Sequence, residues 1–319
     1  MQSQFKLPFE LPPQSSVLVA GAGGGFDVVC ALPVAIALEA AGHQVHFGNY
    51  SFTDLAGLEG VERPLPGLVR VDASTEPPRG GYFPEGALAR WWSANLHEAP
   101  VWCFGRVGVR PLSRAYAHLQ ERLGLDALLL LDGGVDGLFI GDEFDLATPS
   151  MDAVSILAAA SLEGCEGIYA FTAFGTEGRA NSVRHADALL RISELTRRGG
   201  LLGVAAATPG SEPGRRFLEA LEAIHWDLPP LRQSIVASSI AAALEGRFGD
   251  CVLTPKTVDA PVWISALTLL YWFFDLEEVA RAKPYRAEVL QTDTVSDVAE
   301  AIERVRQARG VRARSNLPI

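Results

Sequence analysis

The sequence predicts an α/β protein built on a doubly wound, Rossmann-like and largely parallel sheet with helices on both faces. Three observations carry this. Short, uninterrupted apolar runs at 17–20 (VLVA), 127–131 (ALLLL) and 201–206 (LLGVAA) read as strands buried on both sides. Each runs into glycines or polar residues and then into a helical stretch, the alternation that gives parallel sheets with right-handed crossovers. A complete strand–helix–strand unit fits within the first 50 residues.

In chain order, the strand at 17–20 stops at Gly21, and an alanine-rich apolar stretch follows to Ala41, with Gly42 placed as its C-terminal cap. Pro33 either sits in the first turn of a helix starting near Leu32 or kinks a longer one. The segment 43–52 is a second strand ending in polar Asn49 and Ser51. Residues 54–108 are less regular: a possible strand at 68–71, a Pro/Gly-rich loop at 76–86, and a short helix around 87–98 carrying Trp91 and Trp92. This segment reads as an insertion that could form a lid or a subunit contact, the paired tryptophans pointing to a homo-oligomer interface. Pro111 opens a helix that Gly124 ends. Thr148-Pro149 starts another, with Thr as cap and Pro at the first helical position. A strand at 167–171 and a helix at 182–198 precede the run at 201–206. From about 212 helices dominate, at 214–225, 231–245, 261–274 and 294–309, with one strand at 251–253 leading to Lys256. No repeat or low-complexity linker divides the chain, so one domain over 1–319 is expected.

Composition narrows the function classes. The 319 residues carry a formal net charge of −11, which disfavours nucleic acid and anionic membranes as partners. The basic run at 304–314 reads as a solvated helix end and tail. The apolar run 262–274 is too short to span a bilayer and reads as a buried helix. Cys30, Cys103, Cys165 and Cys251 form neither a CxxC pair nor a Cys/His cluster. Together with a start that lacks the apolar core of a signal peptide, this suits reduced thiols in a cytoplasm.

In an open parallel sheet, ligands bind where strand carboxyl ends meet helix amino ends. Gly21, Gly23, Gly24 and Gly25 reach that edge first, and their backbone N–H groups at a helix start favour a phosphate or another anion. The dinucleotide fingerprint fails, because Phe26 stands where its third glycine belongs and Asn49 lies where the ribose-binding acid should be. NAD is therefore not expected. A structural turn remains the plain alternative. Asp27 is either a helix cap or a metal or substrate contact, and Cys30 an inert buried thiol.

The densest chemical feature is 132–145, DGGVDGLFIGDEFD, with Asp132, Asp136, Asp142, Glu143 and Asp145 separated by glycines. Carboxylates that converge must be neutralised by a divalent cation, a cationic substrate or shared protons. The expected metal ligands are Asp27, Asp132, Asp136 and Asp142, holding Mg²⁺ or Ca²⁺. The expected catalytic acids are Asp132, Asp142, Glu143 and Glu177. Diverging carboxylates on an exposed loop, or a polar-substrate contact such as a sugar, are the other readings. Asn49, Ser51 and Lys256 complete the expected small-molecule site, with Lys256 as a phosphate clamp.

The segments Gly21-Ala-Gly-Gly-Gly-Phe-Asp-Val28, Asn49-Tyr-Ser-Phe-Thr53, Asp132-Gly-Gly, and Gly141-Asp-Glu143 with Thr148-Pro149 resemble a prokaryotic family, domain of unknown function 1152, over nearly the whole chain. The resemblance implies no activity and carries over no catalytic residue. The residues themselves point to a hydrolase or transferase for a phosphorylated or nucleotide-like substrate. The rivals are a ligand-binding or scaffold protein without catalysis and an oxidoreductase with a degenerate fingerprint.

Overall fold

The computed structural model describes residues 5–176, 183–314 and 317. Strand β1 (Ser16–Gly21) lies between β2 (Gln44–Tyr50) and β6 (Ala127–Asp132), paired parallel to both. Parallel pairing extends outward to β5 (Val101–Phe104) beside β2 and to β7 (Glu166–Phe171) beside β6. Antiparallel strands complete both edges. On one side are β4 (Leu68–Val71) and β3 (Glu62–Leu65); on the other are β11 (Leu270–Asp275) and β8 (Leu201–Ala206). The nine-stranded order is β3-β4-β5-β2-β1-β6-β7-β11-β8, and β9 (Gly249–Cys251) with β10 (Val262–Ile264) forms a separate ribbon.

The apolar runs follow from burial on both faces. Side chains alternate across a strand, so Val17 and Val19 join one core layer while Leu18 and Ala20 join the other. The first layer is closed by α1 (Asp27–Cys30), α2 (Leu32–Ala40), α3 (Pro84–Asn95), α7 (Glu212–Trp226) and α8 (Ile235–Leu244). The second is closed by α4 (Val109–Leu123), α5 (Ser150–Ala159), α6 (His185–Arg197), α9 (Leu276–Ala282), α10 (Arg286–Val289) and α11 (Val295–Arg309). Pro33 lies in the first turn of α2, which begins at Leu32 as the first of its two readings has it. Gly124 adopts the left-handed conformation that ends α4, at φ 61°. No helix among the described residues is long and apolar enough to cross a membrane.

Five expectations are corrected. The segment 54–108 is no excursion from the sheet, since it supplies β3, β4 and β5. Its tryptophans pack inward: Trp92 is fully buried, its ring 4.7 Å from that of Phe47, and Trp91 is 7% exposed, so neither is free for a subunit contact. The run 262–274 is not a helix but β10, a short 3-10 turn and β11. Tyr271 and Phe273 enter one core layer and Phe274 the other, and a run that is apolar at every position has no periodicity to separate strand from helix. The helix expected from 231 begins at Ile235, where the Ser234 side chain accepts the Ala237 N–H. Thr148 does not cap α5; its N–H donates to Asp136, and the helix begins at Ser150.

Candidate functional site

The chain leaves β1 toward β2 on one side and later returns on the other side as β6, so the carboxyl ends of β1 and β6 are the point where the winding reverses. Gly21 ends β1, Asp132 ends β6, and α5 brings Asp152 in its first turn to the same place. These segments line a cleft of about 220 Å³ that includes Gly23, Gly24, Asp27, Asp132, Asp136 and Asp152.

Four carboxylates meet here, each with less than a tenth of its surface exposed. Asp27 Oδ2 accepts the N–H groups of Gly23 and Gly24 at 2.7 and 3.0 Å, and its Oδ1 accepts that of Gly133 at 3.2 Å. Asp132 accepts the Gly137 N–H at 3.1 Å and the Tyr169 hydroxyl at 2.8 Å. Asp136 accepts the Thr148 N–H at 2.9 Å. Asp152 Oδ1 is buried and has no hydrogen-bond partner among the described residues. One carboxylate oxygen from each of Asp27, Asp132 and Asp152 lies within 4.8 Å of the other two.

Burial penalises these charges, and proximity adds to the penalty. Burial raises the Asp27 carboxyl to about 7 against the backbone N–H bonds that favour its charge, and Asp136 adds a smaller push upward. Asp136 is also raised by burial. Asp152 is pushed well up by burial and then by Asp132, Asp136 and Asp27. A buried cation, Lys283, donates its ammonium to the Gly137 and Phe139 carbonyls of the same loop. Burial lowers it to about 8. An all-oxygen donor set with more negative charge than its surroundings offset is the chemistry of a hard divalent cation.

The glycines are explained by the carboxylates. A methyl group on Gly133 would stand 2.7 Å from Asp27 Oδ1, and one on Gly137 would stand 2.6 Å from Asp132 Oδ2. Gly24 adopts φ 105°, open to glycine at little cost. Ala147, at the cleft rim, holds a left-handed φ of 52°, a strained placement beside a site.

The expected residues divide into those the fold gathers and those it sends elsewhere. Asp27, Asp132 and Asp136 converge with Gly23 and Gly24. The Gly23 and Gly24 N–H groups, expected to meet an external anion, are directed at Asp27. Gly21 is close-packed, with a methyl there 2.2 Å from Asn49 Oδ1. Asn49 donates to the Gly25 carbonyl and to Glu85, and Ser51 and Thr53 donate to the same buried Glu85. Asn49 and Ser51 thus hold the glycine turn from behind rather than lining the cleft. Asp142 and Glu143 are tied to Arg191, with Arg312 also on Asp142, and Glu143 accepts the Ile140 and Gly141 N–H groups. Neither lines the cleft. Their arginines, distant in sequence, neutralise them without a metal. Lys256 lines a neighbouring cavity. Glu177 lies outside the described residues.

Asp152, Tyr169 and Lys283 are site residues that sequence pattern does not single out. Asp152 carries a faint signal: an acid one turn into a helix that follows a glycine-rich acidic loop. Lys283 carries another, being one of only three lysines. Tyr169 sits in an apolar strand and carries none.

The family described as protein of unknown function (DUF1152) matches residues 18–311, and the chain belongs to that family. No curated protein and no solved structure matches the chain.

Proposed function

We propose that this member of the domain of unknown function 1152 family is a divalent-cation-dependent hydrolase or transferase, acting on a phosphorylated or nucleotide-like small molecule at the Asp27–Asp132–Asp152 cleft. The observation that carries the reading is Asp152. A buried carboxylate oxygen without a hydrogen-bond partner, facing two further carboxylates, costs stability unless a proton or a cation occupies the space between them. Mg²⁺, Mn²⁺ or Ca²⁺ would take oxygen ligands from Asp27, Asp132 and Asp152 and leave other positions to water and substrate. When bound, the cation would polarise a substrate oxygen and lower the pKa of bound water. Tyr169 orients Asp132 through its hydroxyl, and burial followed by Asp132 keeps that hydroxyl neutral.

The test is calorimetric titration of the chelator-treated protein with Mn²⁺, Mg²⁺ and Ca²⁺, paired with turnover of a panel of phosphate esters and nucleotides. The Asp152→Asn variant is expected to keep its metal-free stability within about 1 kcal/mol, because burial and the neighbouring carboxylates already disfavour the charge that the amide removes, and to lose cation binding. Wild-type protein that binds no cation at millimolar concentration, or an Asp152→Asn variant that binds it as well as wild type, ends the proposal.

A further inference from the structure

Beside the acidic cleft lies a second cavity of about 440 Å³, walled by Phe52, Tyr82 and Leu231 and carrying Arg79, Arg232 and Lys256. Phe52 is common to both cavities. Its ring lies over the glycine turn: a methyl on Gly24 would stand 2.8 Å from it, and one on Gly25 would meet the Tyr82 hydroxyl at 3.0 Å. The two cavities are therefore neighbours across one aromatic side chain.

We infer that this second cavity holds the phosphoryl group of the substrate, in a place separate from the cation centre and from the glycine turn. The inference rests on the acidic cleft being the reacting end.

Four observations support it. The turn glycines are poorly placed for the task, since the Gly23 and Gly24 N–H groups already donate to Asp27. The three cations converge from distant parts of the chain, yet none forms an ion pair among the described residues, although most arginines of this acidic protein do. Their charges oppose one another: burial and then Arg232 lower the Lys256 ammonium, and burial and then Lys256 lower the His225 imidazole to about 4. His225 is locked as a neutral acceptor of the Ser234 N–H, so it does not add to the positive charge. Two guanidinium groups and an ammonium suit a dianionic phosphoryl group, which arginine engages through paired N–H donors. The Phe52, Tyr82 and Leu231 walls suit the organic body attached to it. Asp54, also on the rim, is turned to the Gly57 N–H.

Because its donors are protein cations, this cavity should bind a phosphoryl group without a metal. The test is titration of the chelator-treated full chain with inorganic pyrophosphate, and with malonate as a dicarboxylate. Pyrophosphate should bind wild type and Asp152→Asn alike, and should bind the exposed-residue double variant Arg232→Ala/Lys256→Ala at least about tenfold more weakly. Lys256→Gln alone should give a smaller loss in the same direction. Mn²⁺ binding, measured in parallel, should survive the double variant. Pyrophosphate binding that needs metal, or that is unchanged in the double variant, overturns the assignment while leaving the cation centre standing. Malonate binding as tightly as pyrophosphate overturns the phosphoryl class. Normal pyrophosphate binding by a protein that takes up no Mn²⁺ removes the cation centre and leaves this cavity as an anion site.

Discussion

Gly23 has no side chain because Asp152 occupies the space: a methyl group there would stand 2.4 Å from Asp152 Oδ1 and 2.9 Å from its Oδ2. The glycine turn and the acidic helix start, 129 positions apart in sequence, are thereby fitted to each other. Gly23→Ala should displace the Asp152 carboxylate and weaken Mn²⁺ binding by roughly 10–100-fold, the range seen when groups that position a metal ligand are altered. The stability cost should be roughly 1–3 kcal/mol, as for overpacking. Calorimetry with denaturant unfolding reads both. Unchanged Mn²⁺ affinity would mean that Asp152 is not a ligand.

The metal-free protein should show an unusual pH dependence. Asp27 is raised from 3.8 to about 7, so between those values the folded state holds a proton that the unfolded chain has released. Stability from this group is full below about 4 and is lost as pH rises through about 7. His225 acts in the opposite direction. Its folded value is about 4 against 6.5 unfolded, so its contribution is full above 6.5 and is lost as pH falls toward 4. In Asp27→Asn, the decline toward neutral pH should become shallower, with Asp136 and Asp152 supplying what remains, and the rise from His225 should persist. Urea unfolding from pH 5 to 8 in chelator checks this, and a decline as steep as in wild type refutes the role given to Asp27. With Mn²⁺ present, thermal stabilisation of wild type should grow as pH rises through about 7, because cation and proton compete for the same oxygens.

Glu143 separates a structural carboxylate from a functional one. It is fully buried and bonded to Arg191 at 2.6 Å. Glu143→Gln should destabilise the protein by roughly 1–3 kcal/mol, because Arg191 keeps Asp142 and Glu194 but loses its fully buried charged partner, and the Ile140 and Gly141 N–H groups lose a charged acceptor. Mn²⁺ affinity should change by no more than a few-fold, because Glu143 lies outside the cleft and acts on it through the charge of Lys283. A loss of cation binding as large as that of Asp152→Asn would return Glu143 to the site.

Lys283 supplies positive charge beneath the cluster and ties the loop carbonyls of Gly137 and Phe139. Lys283→Met should cost roughly 2–4 kcal/mol through orphaned carbonyls and lost charge compensation. Added Mn²⁺ should recover part of that loss, since a divalent cation offsets the same carboxylates. Equal destabilisation with and without Mn²⁺ would show that Lys283 acts on the loop alone.

Much of this molecule is legible from local pattern, and the reason is locality itself. The runs at 17–20 and 127–131 are strands because only a strand buried on both faces is apolar at every position over so short a span, and Gly21 to Gly25 must turn where they stand. Asp27, Asp132 and Asp136 could be nominated because each follows such a strand. Which carboxylates would meet was decided by the fold. Asp142 and Glu143 follow Asp132 by 10 and 11 positions and Asp152 by 20, yet Arg191 and Arg312 draw the nearer two into ion pairs that no spacing rule contains. Asp152 reaches the cleft because α5 begins at the carboxyl edge of β6, and Lys256 falls across Phe52 because the chain returns there more than 200 residues later. Pattern along a chain records what each residue demands of its immediate surroundings. Charge compensation is settled between groups a few ångströms apart, and only the folded chain determines which groups those are.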